Sequence, residues 1–186
     1  MSAAGLVAWI TKALDASAIP YMVVGSFASS IYGVPRSTFD LDIVIDPDAD
    51  SLAHFLAALD PDRYYVDDDT ARDALRRRGM FNVIDATSGW KIDLVVRKNT
   101  PHGREELGRR VQGTVLGVPA SLASPEDVII AKLSWAREGG SERQLTDVAG
   151  ILAARGDQLD RAYLDRWIAE LELAPIWARA QALAAE

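Results

Sequence analysis

The sequence predicts an α/β (α+β) fold: a mixed, twisted sheet flanked by helices, which are expected on one face, with a helical lobe toward the C-terminal end. Three observations carry this. Two short apolar runs, 21–24 and 41–46, bracket a glycine-bearing segment. Two more apolar-rich runs, 80–86 and 90–96, are joined only by Thr87-Ser88-Gly89, the pattern of a hairpin. From Ser124 onward apolar residues recur at helical spacing.

Taken in order, Leu6, Val7, Ile10 and Leu14 predict a helix over 3–16, and Pro20 marks the approach to the first strand, 21–24. Gly25-Ser26 follows, then one or two helical turns over 27–32, broken by Gly33-Val34-Pro35-Arg36. The second strand runs over 41–46. Leu52, Phe55, Leu56 and Leu59 give the next helix, ended by Asp60-Pro61-Asp62. A short strand is expected over 63–66. Asp67-Asp68-Asp69 resembles a metal cluster in composition, but acids before a helix over 71–78 are better read as a cap favoured by the helix dipole. Arg76-Arg77-Arg78 at the other end fits the same rule. After the hairpin come a helix over 100–110 and one or two short strands over 111–120, near the sheet edge. Ser124 as N-cap and Pro125 in the first turn open a long helix. Further helices are expected from Ser141, over 159–171 and over 175–184. The five tryptophans are read as core or interface residues.

The chain has 186 residues, 49% of them hydrophobic, enough for one sizeable core or a domain with a small lobe. The change of periodicity sets the expected division at 1–120 and 121–186, packed together because no linker separates them. With no cysteine, disulfide and thiol chemistry are excluded. No apolar stretch approaches the roughly 20 residues of a spanning helix, and the first residues lack a basic leader. A cytoplasmic protein with no membrane partner is therefore expected. A net charge of −7 argues against broad nucleic-acid binding while leaving room for a local basic groove.

The chemistry concentrates at Asp40-Leu41-Asp42. Carboxylates at i and i+2 of a strand share one face, with Leu41, Ile43 and Ile45 on the other. Two such acids raise each other's pKa and call for a cation between them; Mg2+ (or Mn2+), a hard ion with oxygen ligands, suits them. Asp93 alternates with Ile92 and Leu94 in the same way. It faces the same side if the two strands are neighbours, and is otherwise an exposed strand residue.

In Gly25-Ser26, Asp40-x-Asp42 and the later Asp93, the sequence resembles the nucleotidyltransferase superfamily of the polymerase-beta type. The resemblance implies that Asp40, Asp42 and Asp93 are catalytic and hold the metal, with Asp93 orienting or deprotonating an acceptor hydroxyl. It implies that Gly25 lets backbone approach a phosphate and that Ser26 bonds one. Arg36 is open between clamping a phosphate and pairing with Asp40. Lys132, Arg143 and Asp147 resemble the pattern of a branch containing bacterial abortive-infection and toxin-antitoxin nucleotidyltransferases. There Lys132 would contact phosphate, supported by Arg143 and Asp147; a plain helix–helix salt bridge is the alternative. The implied activity is transfer of a nucleoside monophosphate from an NTP such as ATP to an acceptor, which is a small molecule, a protein or an RNA end. The other reading is a catalytically silent module of the same fold that recognises a partner protein. His54 and His102 stand at no metal-ligand spacing and receive no role.

Overall fold

A computed structural model describes residues 2–185. The chain runs α1 (Ala3–Ala16), β1 (Tyr21–Val23), α2 (Gly25–Tyr32), β2 (Asp40–Ile45), α3 (Ala49–Ala57), β3 (Tyr64–Tyr65), α4 (Asp68–Arg77), β4 (Met80–Asp85), β5 (Lys91–Val96) and α5 (Pro101–Gly108). It continues through β6 (Val111–Val115), β7 (Val118–Leu122), α6 (Pro125–Gly139), α7 (Glu142–Arg155), a 3-10 turn at Gly156–Gln158, α8 (Arg161–Glu170) and α9 (Ala174–Ala184). The strands form one mixed sheet in the order β3-β4-β5-β2-β1-β7-β6. Pairs β2–β5 and β1–β7 are parallel, and the others are antiparallel. The expected fold class is the observed one.

Helix starts follow local chemistry. The side chains of Ser2, Asp67, Thr100 and Ser124 accept backbone N–H groups at the starts of α1, α4, α5 and α6, each satisfying a donor that the helix leaves orphaned. The Asp67-Asp68-Asp69 run is thus a cap and first turn. Arg78 closes α4 in the left-handed region and pairs with Asp46 at 3.0 Å.

Two expectations change. Helices were expected on one face of the sheet, but they cover both. Leu41, Ile43, Ile45, Ile92, Leu94 and Val96 pack against α1, α3 and α4. Met22 and Val44, on the other face, meet Ala28 and Tyr32 of α2 and the apolar sides of the helices after Ser124. All three residues of β1 are buried, which requires cover on both sides. The two strands expected near the sheet edge lie there: β6 forms the edge, and β7 stands between it and β1. The intervening chain from 24 to 117 hides this pairing from local pattern. Second, Trp135 is 66% exposed on α6 and lies outside the core. Among the described residues no helix is long and apolar enough to cross a membrane.

Candidate active site

Parallel pairing of β2 with β5 sets Asp40 beside Lys91 and Asp42 beside Asp93. In-register parallel neighbours point the same way, and so do residues two apart in one strand. Asp40, Asp42, Lys91 and Asp93 therefore share one face. Asp40 is exposed, Asp42 half-buried, and Asp93 only 7% exposed. Desolvation pushes the Asp42 carboxyl above the usual carboxylate range, and the charges of Asp93 and Asp40 push it further. Asn82 of β4, the register partner of Asp93, donates to its carboxylate, and Lys91 Nζ lies 2.9 Å away.

Gly25 brings backbone onto this group. It has a φ of +62°, and a Cβ there would stand 2.9 Å from the Asp42 Cβ and overlap its carboxylate. The backbone N–H of Val24 donates to the Asp42 carbonyl at 2.9 Å, and the Ser26 backbone draws the Asp42 carboxyl's pKa back down. Gly25 and Ser26 are the first residues of α2 rather than a turn ahead of it. The tight segment is thus also a helix N-terminus, with its donors toward the acids' end of β2.

Cations line the other side. Arg36 donates to Ser26 Oγ and pairs with Asp147 Oδ2 at 3.3 Å. The ion pair left open for it was with Asp40; Asp147 on α7 takes that place. Lys132, 4% exposed, donates to Asp147 Oδ2 at 2.6 Å and to Gln144 Oε1 at 3.0 Å. Burial pushes the Lys132 ammonium below its usual pKa, and Asp147 pulls it back up. Ser26, Arg36, Ser37, Thr38, Phe39, Asp40, Arg143 and Gln144 line a cleft of about 480 Å³. Lys132 and Asp147 adjoin it through Arg36 and Gln144.

Several residues escaped sequence reasoning. Asn82 and Lys91 bear no motif, and their place follows only from the register. Phe39, 79% exposed, stands 6.0 Å from Trp90 between ring centroids at the cleft's rim. His102, given no role, gathers with Glu106 and Asp127, their ligand-type atoms within 4.8 Å of one another. His102 and Glu106 are four apart on α5, a signal legible in the sequence; Asp127 arrives from α6. Both Asp127 oxygens are already engaged, by the hydroxyls of Tyr163 at 2.6 Å and Ser124 at 2.7 Å. Arg109 stacks on the Tyr163 ring at 3.8 Å and pairs with Glu126 at 3.3 Å. A resident guanidinium and saturated oxygens make this a network joining α5, α6 and α8.

On the three-acid face Asn82 and Lys91 likewise engage the two Asp93 oxygens, while Asp40 stays exposed. The charges of Asp93 and Asp40 act on Asp42 and raise its carboxyl, and Gly25 keeps a Cβ out of the space beside it. That donor set suits a hard divalent cation.

No family model and no curated protein matches the sequence. Solved folds do match. An antigenic nucleotidyltransferase-like protein from Paracoccidioides brasiliensis superposes with a TM-score of 0.59 at 18% identity, over 95% of this chain and 90% of that one. ANT(2")-Ia in complex with adenylyl-2"-tobramycin gives 0.55 at 13% identity, over 98% and 97%. The lincosamide antibiotic adenylyltransferase LnuA, lincomycin-bound, gives 0.54 at 11%, over 81% and 96%. The chain has the fold of nucleotidyltransferase-like proteins.

Proposed function

We propose that the protein is a metal-dependent nucleotidyltransferase that moves a nucleoside monophosphate from an NTP to an acceptor hydroxyl. The observation that carries this reading is the parallel register of β2 and β5, which sets Asp93 beside Asp42 and on the face of Asp40. A pure binding module has no need of three acids on one sheet face, two of them poorly exposed to water.

In this reading Asp40, Asp42 and Asp93 hold Mg2+ (or Mn2+), which when bound neutralises triphosphate charge and activates the acceptor oxygen. The chain's own residues position the reactants. Gly25 lets a phosphate approach the backbone, and Ser26 donates to it with the α2 N-terminus behind. Arg36, held at Ser26 Oγ, would bond the same phosphate. Asp93 takes the acceptor proton as the acceptor oxygen bonds to the α-phosphorus. The bond from that phosphorus to the bridging oxygen breaks, and pyrophosphate leaves. Lys132 acts behind Arg36, because Asp147 binds both cations.

Residues 1–120 serve as the nucleotidyltransferase-like core and 121–186 as the lobe that brings Lys132, Arg143 and Asp147 to the cleft. That trio supports the narrower reading of an abortive-infection or toxin-antitoxin type enzyme. Since ANT(2")-Ia and LnuA are seen with a modified or bound antibiotic, small hydroxylated molecules are the first acceptors to test. The test is incubation with each labelled NTP, Mg2+ and a cell extract or hydroxylated small-molecule panel, wild type beside Asp42→Ala. A labelled product formed only by wild type is expected. No product and no NTP binding at millimolar concentration would remove the enzyme reading.

A further inference from the structure

Lys91 belongs to no recognised motif, yet it stands among the acids. Its Nζ lies 2.9 Å from Asp93 Oδ2 and 3.8 Å from Asp40 Oδ1. The reason is geometric: Lys91 is the register partner of Asp40 and lies two residues before Asp93, so its stem rises on their face. Its side chain is 39% exposed, so the ammonium reaches the acids from the solvent side and is not walled in. Asp93 also accepts from Asn82, which holds its other oxygen. Arg143, although it lines the same cleft, has no contact with the three acids among those described.

We propose that Lys91 is a built-in counter-ion that competes with a divalent cation for Asp93 and Asp40, and so sets the metal affinity of the site. This rests on the metal-dependent reading above. Three carboxylates on one face repel one another, and an ammonium in contact with two of them relieves that repulsion. A cation using Asp93 Oδ2 must take that oxygen from the ammonium. Lys91 thus weakens metal binding while stabilising the metal-free protein. It is a positioning residue, acting through Asp93 and Asp40.

The test is Mn2+ binding to the full chain without nucleotide, followed by electron paramagnetic resonance of free Mn2+, with thermal melts in chelator and in saturating Mn2+. Lys91→Met keeps the stem and removes the charge. It is expected to bind Mn2+ about tenfold tighter than wild type, the size of one contact ion pair near the surface. It should also melt lower in chelator and show a larger Mn2+-induced rise. Lys91→Arg should keep near wild-type affinity. Arg143→Met removes a cleft cation outside contact distance and should tighten binding far less. Equal or weaker Mn2+ binding by Lys91→Met overturns the proposal and leaves the metal reading standing, as does equal tightening by Arg143→Met. If wild type binds no Mn2+ and resembles Asp42→Asn in this, the metal reading falls, and the counter-ion proposal with it.

Discussion

Gly25 is where a single Cβ decides most. Its φ of +62° is one that side-chain-bearing residues seldom adopt, and the added atom would press on Asp42. Gly25→Ala is expected to destabilise the protein by about 1–3 kcal/mol and to abolish NTP-dependent labelling, read from urea midpoints and product formation. Asp42 makes a prediction of the opposite sign. Its carboxyl is raised above the usual value by desolvation and then by Asp93 and Asp40. The folded chain therefore holds that proton to higher pH than the unfolded chain. Stability from this group is present below the ordinary carboxylate pKa and is lost as pH rises through the raised value. Asp42→Asn in chelator should have a higher urea midpoint than wild type at pH 7, and the gap should close in acid. A wild type as stable as the variant at pH 7 would mean that the acids are already neutralised by their neighbours.

At the scale of elements, two buried networks fix how helices meet. On α6 and α7, Lys132 and Asp147 are both largely withdrawn from water and 2.6 Å apart. Removing one partner strands the other, so Asp147→Ala should cost about 3 kcal/mol, while Lys132→Met with Asp147→Leu should recover much of it. Denaturant titration of the two variants beside wild type reads this out. On α5, burial pushes the Glu106 carboxyl from 4.5 up to about 7, with the nearby Asp127 charge adding and His102 opposing. The folded state then binds more protons than the unfolded between those values, so stability falls as pH rises through that window and levels above it. Glu106→Gln should remove this slope and stabilise at pH 8 by on the order of 2–3 kcal/mol, with little gain at pH 4.5. Melting temperatures of both proteins across pH 4.5 to 8 would show it.

Across the whole molecule, the helices after Ser124 complete the sheet's second core rather than hang from it. Met22 is fully buried there with Ala28, Tyr32 and Val44. Tyr32 Oη donates to the Ala123 carbonyl at 2.8 Å, and a Cβ on Gly33 would stand 2.9 Å from the Ile151 backbone nitrogen. Contacts this close leave little room for independent motion of the two parts. The full chain should therefore unfold in one transition, with near- and far-ultraviolet dichroism coincident. A fragment ending at Ala123 would expose that apolar face and should show no cooperative transition. Two separated transitions in the full chain would instead mark two independently stable units.

The sequence by itself determined the elements and the chemical kinds of residue at the site. Alternation of Leu41, Ile43 and Ile45 with Asp40 and Asp42 assigns the acids to one strand face, because side-chain direction within a strand is a local property. Caps at Asp67 and Ser124 were legible for the same reason. The tertiary structure alone decided what stands beside what. Whether Asp93 joins Asp42, whether Lys91 touches them, and whether β7 lies inside the sheet all depend on strand order and register. Those are set by which apolar faces bury best together, over separations that no local pattern records. Arg36 shows the limit most plainly. Its loop and its charge are written in the sequence, but its partner, Asp147, lies 111 residues away on a helix brought near only by packing.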